Sequence, residues 1–253
     1  MITKLLLASA LSCGVLLATA IRPALAVTID TSQSAGPVPT SPGTGLIASY
    51  YKFSQSVTGL AQGDGLVAAA SGPTATFTAL TVCFPSCNST ENDGSSLSSY
   101  ISTNGTNLSS DSTLGDAVTL YNGFIAIASA GVYTFDLNSD DGSDLSIGGT
   151  LIINNDGQHA LTDLQASVTF QSAGLYAISV DHFENGGVTG VTVEENGAAL
   201  ATSDLYGSVP APEPASMAIL GSSLFGLGLA RRRRACRKTL HSEDGGTRHG
   251  ATL

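Results

Sequence analysis

The sequence predicts an all-β fold for the middle of the chain, an antiparallel β-sandwich or barrel. Three observations point there. Short apolar runs recur at close spacing from Val118 to Glu194, Gly- and Asn-rich turns separate them, and no helix signal stands out across the middle of the chain. Apolar residues at every second position place one face of a strand on a core and the other in solvent. Many such strands in succession make a sandwich or barrel, and 253 residues allow one large domain or two small ones.

The first element is a secretory signal peptide over residues 1–26. Lys4 precedes the apolar run Leu5–Ala20, Arg22-Pro23 interrupts it, and Ala24-Leu25-Ala26 puts small residues at −3 and −1 of a cleavage point before Val27. A retained anchor helix is the alternative, though the run is short for one. Leu11-Ser12-Cys13-Gly14 loosely matches a lipoprotein site, but Cys13 sits inside the apolar run with Leu and Val still to follow.

Residues 27–44 are rich in Thr, Ser, Pro and Gly and are expected as a linker. Leu46–Phe53 is the first strand candidate. Gly59–Gly115 is Ser/Thr/Asn/Gly-rich and is expected as variable loops, with one possible strand at Thr74–Val82. The pattern then sharpens. Val118–Ser129 and Val132–Asn138 flank Ala130-Gly131, and Tyr133, Phe135 and Leu137 alternate onto one face. Asp144–Ile147 and Thr150–Ile153 flank Gly148-Gly149, a two-residue hairpin signal because both positions can take positive φ. Gln165–Phe170 and Leu175–Asp181 flank Ser172-Ala173-Gly174, and Val188–Glu194 follows Asn185-Gly186-Gly187.

Charge removes one class of partner. Between Val27 and Val209 Lys52 is the single Lys or Arg, against seventeen acidic residues, a formal balance of −16. Nucleic-acid binding needs clustered cations to displace phosphate counterions, so no nucleic acid is expected as a partner. An acid-rich, lysine-poor surface suits hard cations or neutral polar ligands.

The far end carries a tripartite pattern over residues 210–234: Pro212-Glu213-Pro214, then the uncharged run 215–230, then Arg231, Arg232, Arg233 and Arg234. As a helix the run spans roughly 24 Å, a marginal transmembrane helix against a hydrocarbon core of about 30 Å. The arginines mark its cytoplasmic side. These parts resemble the PEP-CTERM sorting signal of Gram-negative bacteria that make extracellular polysaccharide. The resemblance implies export by the Sec machinery, anchoring in the inner membrane on the periplasmic side, and processing by an exosortase near Pro212-Glu213-Pro214. It implies a final location at the cell surface or in the extracellular matrix. The cytoplasmic tail of residues 235–253 departs from the family, which usually stops within a few residues of the arginines. An ordinary C-terminal anchor is the alternative.

Cys83 and Cys87 are the pair left outside once Cys13 is removed and Cys236 is assigned to the cytoplasm. An even pair in an oxidising compartment points to a disulfide across Cys83-Phe84-Pro85-Ser86-Cys87. A metal site is the alternative, with only two thiolates to serve it.

The run from Gly131 to His159, with Ser139-Asp140-Asp141-Gly142-Ser143 at its centre and Asn155-Asp156-Gly157-Gln158-His159 at its end, resembles the centre of a PA14 domain. Gly45-Leu46-Ile47-Ala48-Ser49-Tyr50-Tyr51 resembles its opening strand. Gly174-Leu175-Tyr176 and the turn after Glu184 resemble its late strand. A PA14-like domain is therefore expected over 45–206, with the match weakest between 60 and 115. In sugar-binding members of that family, such as yeast flocculins, paired aspartates joined by a cis peptide hold calcium, an Asn on a second loop completes the cage, and sugar hydroxyls fill the open positions. The resemblance implies Asp140, Asp141 and Asn185 as ligands of Ca2+. The same Asp140, Asp141 and Asn185 are then the expected carbohydrate-binding residues toward a glycan or exopolysaccharide, with Asp144 and Glu184 as candidate further sugar contacts and solvated rim charges as the alternative for these two. Two carboxylates, an amide oxygen and backbone carbonyls are the hard oxygen donors that calcium prefers. The same Asp-Asp-Gly-Ser is also a good turn sequence. His159 is expected to tether a turn and His182 to sit at a strand end. An EF-hand is excluded, because Asp141 stands where Gly is needed and Ile147 where the bidentate Glu is needed.

No enzyme is expected. The chain lacks His-Glu-x-x-His, Gly-x-Ser-x-Gly and a phosphate-binding glycine loop. A secreted glycoside hydrolase built on paired carboxylates stays open as a third reading. The two leading readings are a calcium-dependent carbohydrate-binding module and a structural biofilm-matrix protein without a specific sugar site. With no Trp in the chain, Phe183 or Tyr206 would have to supply any stacking surface for a sugar ring.

Overall fold

The structure, a computed structural model, describes residues 27–210. The expected signal peptide, Cys13, Cys236, the sorting segment beyond Pro210 with its apolar run and arginines, and the 235–253 tail lie outside the described residues. Among the described residues no helix is long and apolar enough to cross a membrane.

In chain order, strands Val27–Ile29 (β1) and Ser34–Gly36 (β2) flank the 3-10 turn Thr31–Gln33, and Leu46–Lys52 (β3) leads to helix Leu60–Ala69 (α1). Ala75–Ala79 (β4), Cys83–Phe84 (β5) and Glu91–Asn92 (β6) precede helix Leu97–Ile101 (α2), and Gly105–Thr106 (β7) follows it. Then come Ala117–Ile127 (β8), Gly131–Asp140 (β9), Ser143–Ile147 (β10), Thr150–Asn155 (β11), Thr162–Phe170 (β12), Gly174–Glu184 (β13), Val188–Glu195 (β14), Ala198–Ala199 (β15) and Leu205–Tyr206 (β16).

They form two sheets. One, of seven strands, runs β1-β12-β9-β14-β15 with β5 and β6 also on β14. The other, of nine, runs β11-β10-β13-β8-β3-β4-β7 with β16 on β8 and β2 on β13. Among the described strands the β1–β12 pair alone is parallel. The apolar residues of each alternating strand meet between the sheets. Phe135, Leu137, Val168 and Phe170 come from one side, and Tyr121, Ile125, Ile178 and Val180 from the other. Phe170 packs on Tyr176 with ring centroids 5.0 Å apart, and Phe84 stacks on Tyr121 at 5.6 Å. Each such side chain contributes roughly 1.5–3 kcal/mol by leaving water.

The hairpin at Gly148-Gly149 has the positive φ its sequence demands, +59° and +76°. The predicted strands from Leu46 and from Val118 onward coincide with observed ones to within a few residues, except that β12 begins three residues before Gln165 and β13 ends three residues after Asp181. Two expectations do not hold. The 27–44 segment is not a bare linker: Ile29 is fully buried, β1 pairs with β12, and β2 pairs with β13. The 59–115 region holds two helices where none was expected. Helix α1 contains Gly63 and Gly65 and starts after Gly59, whose lack of a side chain leaves no local cap. Its first donor is taken from a distance, by Asp156 Oδ1 accepting from Leu60 N at 2.9 Å. Gly63 lets α1 settle on the sheet, since a Cβ there would stand 2.8 Å from Val118 Cγ2. Val57, Leu60, Val118 and Phe183 form a second small core beneath the helix.

Candidate functional site

Two connections cross from sheet to sheet at the same end of the sandwich. Asp141-Gly142 joins β9 of the seven-stranded sheet to β10 of the nine-stranded one, and Asn185-Gly186-Gly187 returns from β13 to β14. Strand register brings the crossings together, because Asp140 faces Gly190 of β14 and Ser143 faces His182 of β13. Phe183 N donates to Gly142 O at 2.9 Å. Gly142 cannot be larger. A Cβ there would lie 2.6 Å from Gly157 N and 2.5 Å from the Phe183 ring.

The crossings converge three buried carboxylates. Asp140, Asp141 and Glu184 each offer an oxygen, and these oxygens lie within 4.8 Å of one another. The peptide joining Asp140 to Asp141 is cis. Asp141 ties both neighbouring loops: its Oδ1 accepts from His159 N at 3.0 Å and its Oδ2 from Asn185 N at 2.9 Å. Glu184 accepts from Gly186 N through Oε1, while its Oε2 is buried without a partner. Asn185 Oδ1 is also buried and unpartnered. Asp93, on the turn after β6, clasps the second crossing from outside. Its Oδ2 accepts from Gly187 N at 2.9 Å, and its own N–H donates to Gly187 O at 3.0 Å.

Electrostatics agree with a site short of positive charge. Burial first, then Asp141, raises the Asp140 carboxyl above its ordinary value. Burial also lifts Glu184 to about 8, with Asp141 and Asp93 adding to it. His182, buried behind the crossing, is pushed down to about 4 by its desolvation. It is neutral at pH 7, and its Nε2 lies 3.0 Å from Asp140 O. Among the described residues no lysine or arginine pairs with the cluster, for Lys52, the one present, donates to the carbonyls of Leu114 and Gly115.

The sequence-predicted residues fall as follows. Asp140, Asp141, Glu184 and Asn185 come together. Asp144 does not join them. It sits on β10 opposite Asp181 of β13, and its carboxyl is raised by burial, then by Asp64 of α1. His159 tethers its turn, with ring nitrogens 2.8 Å from Asn155 O and 3.1 Å from Ala160 O. Cys83 and Cys87 are joined in a disulfide with Cα atoms 4.6 Å apart. Neither expected stacking residue offers a ring to a sugar. Phe183 is fully buried, and Tyr206 is buried with its hydroxyl donating to Ser41 O. Two contributions were not foreseen: Glu184 as third carboxylate of the cluster, and Asp93 as clasp. The adjacency of Glu184 to Asn185 was the available signal for the first. For Asp93, in a loop about ninety residues upstream, there was none.

The donor set fits calcium. Ligand oxygens at about 2.3–2.6 Å from one ion lie up to about 5 Å from each other. The three carboxylates meet that spacing, and Asn185 Oδ1 and Glu184 Oε2 are acceptors left without a donor. Such oxygens are free to accept a hydrogen bond from water or to coordinate an ion.

Comparison with known proteins follows the same lines. The family model for the PA14 domain matches residues 71–200, and that for the PEP-CTERM protein-sorting motif matches residues 210–234. No curated protein matches the chain. Among solved structures, the PA14 domain of the antifreeze protein MpAFP is similar at 22% identity and a TM-score of 0.59, covering 69% of this chain and 96% of that one. A PA14 sugar-binding domain from an RTX adhesin is similar at 20% identity and a TM-score of 0.53, covering 62% and 93%. With its paired aspartates at a sheet crossing and more than half its length matched, the chain belongs to the PA14 domain family and carries a PEP-CTERM sorting motif over residues 210–234.

Proposed function

We propose that the protein is exported, sorted by an exosortase to the cell surface or extracellular matrix, and there binds a glycan through a calcium ion. The reading is supported most directly by three carboxylates within 4.8 Å of one another, beside an Asn185 Oδ1 with no partner. Asp140, Asp141 and Glu184 would supply the charge and Asn185 the neutral oxygen. Calcium supplies open coordination positions that vicinal hydroxyls can occupy. The chain's own part is to hold the four side chains on two crossings between the sheets, with Lys52 engaged by the carbonyls of Leu114 and Gly115. The PA14 domain of an RTX adhesin, described as sugar-binding, is a relative in fold.

A second reading, a matrix protein without a sugar site, is favoured by one observation. Both oxygens of Asp141 already accept backbone N–H bonds, which a stable turn alone would explain. Calorimetric titration of calcium into residues 27–209 and into an Asp140→Asn/Asp141→Asn variant separates the two. Saturable one-site binding that the variant loses supports the first reading, and a glycan array in calcium then identifies the sugar. Equal binding in both, or none, leaves the matrix reading.

A further inference from the structure

The outer face of the seven-stranded sheet carries a groove of about 320 Å³, whose nearer row, Asn138 and Thr192, lies two positions along β9 and β14 from Asp140 and Gly190. Register builds its floor as two rows of three side chains. Gln165, Asp136 and Glu194 are partners across β12, β9 and β14, and Asp163, Asn138 and Thr192 are partners two positions further along. Strands about 4.8 Å apart and same-face residues about 6.7 Å apart make this floor roughly the size of one sugar ring. Asn88 closes one side. It follows Cys87 of the disulfide loop, and its N–H donates to Thr192 Oγ1 at 2.9 Å.

The hydrogen bonds inside the groove use its donors on its own acceptors. Gln165 Nε2 donates to Asp136 Oδ1 at 2.6 Å, Asn138 Nδ2 to Asn88 Oδ1 at 2.9 Å, and Asn88 Nδ2 to Glu194 Oε1 at 3.1 Å. Each amide keeps a second N–H and Thr192 its hydroxyl, but all the charge in the groove is carboxylate, from Asp136, Asp163 and Glu194, beside Asn138 Oδ1, which is buried and unpartnered at the floor. Among the described residues no lysine or arginine offsets these carboxylates, since Lys52 is held by backbone carbonyls. The Asp163 carboxyl is raised by burial first, then by Asp136 and Glu194, as expected of acids that face each other without a cation. Direct chelation is not what the spacing offers, because among the described residues only Asp140, Asp141 and Glu184 bring three such ligand atoms within 4.8 Å.

A concave floor of acceptors with net negative charge selects a ligand rich in N–H and O–H donors and carrying positive charge. We propose that this groove is a second ligand site, one that takes a protonated amine borne on a polyol, the chemistry of a hexosamine residue with a free amino group. The ammonium lies among Asp136, Asp163 and Glu194, and the hydroxyls reach Asn138 and Thr192. This site is independent of the calcium-dependent one.

The test is calorimetric titration of glucosamine into the full chain at pH 6 and low salt, with N-acetylglucosamine and glucose as neutral comparators, in EDTA. Glucosamine is expected to bind saturably, at least tenfold more tightly than either comparator. Asp163→Asn and Glu194→Gln, exposed or half-exposed isosteric changes, are each expected to weaken it at least fivefold. The Asp140→Asn/Asp141→Asn variant is expected to leave it unchanged, which keeps this result separate from the fate of the calcium site. Absent binding, equal affinity for glucosamine and N-acetylglucosamine, or loss of binding only in the Asp140→Asn/Asp141→Asn variant each overturns the proposal.

Discussion

The backbone N–H of Asn185 donates to Asp141 Oδ2 at 2.9 Å, so one crossing between the sheets is buttoned to the other by a single carboxylate. His159 N donates to the partner oxygen of the same group. Asp141→Ala removes both acceptors and leaves two amide donors beside a buried site. The expected cost is about 2–6 kcal/mol, twice the range of about 1–3 kcal/mol for one orphaned group. Urea denaturation without added calcium measures it. A cost under about 0.5 kcal/mol would show that water replaces the carboxylate and that the crossings are held by their strands alone.

Gly142 shows how tightly the crossings pack. A methyl group there meets Gly157 N, a backbone atom with little room to withdraw, as well as the Phe183 ring. Gly142→Ala is expected to destabilise the domain by about 1–3 kcal/mol, the usual cost of overpacking. It should also weaken calcium binding at least tenfold, because Asp141 precedes it directly. Denaturation and calorimetry on one preparation give both numbers, and retained calcium affinity would detach the packing from the ligand geometry.

Helix α1 depends on Asp156, whose carboxylate accepts from Leu60 N. Asp156→Ala is expected to cost about 0.5–2 kcal/mol, as loss of an N-terminal cap does. The loss should be local, so hydrogen exchange would accelerate over residues 60–69 while β8 and β13 stay protected. Uniform acceleration across the sheet would contradict it.

Asp181 sets a pH dependence. Burial, then Asp144 and Asp64, lifts its carboxyl to about 6 from an ordinary 3.8. The folded state therefore binds the extra proton between those values, and this group's contribution to stability falls as pH rises from about 4 to 6 and is level above. Asp181→Asn removes the effect. The variant should be more stable than the parent by about 1–3 kcal/mol at pH 7 and equal to it near pH 3. His182, pushed down to about 4 by burial, acts oppositely in a similar window, its neutral form losing stability as pH falls from 6.5 to 4. The difference between parent and variant isolates Asp181. Equal melting temperatures at pH 7 would mean that burial and the neighbouring acids do not raise its carboxyl above the ordinary value.

The sequence by itself determined the strands from Val118 onward and the Gly148-Gly149 hairpin. Each is set by residues within a few positions of one another: alternating apolar side chains in the strands, and glycines at positive φ in the hairpin. Only the tertiary structure decided what depends on distant partners. Helix α1 has no cap in its own sequence and takes one from Asp156, ninety-six positions away. The 27–44 segment becomes part of the fold because Ile29 finds a place in the core when β1 pairs with β12. Glu184 joins Asp140 and Asp141 because β13 crosses sheets where β9 does, and the acidic groove exists because register aligns outward residues of β9, β12 and β14. Local conformation follows from short-range sterics and hydrogen bonds. Convergence of charges depends on register and sheet order, which packing settles when the whole chain folds.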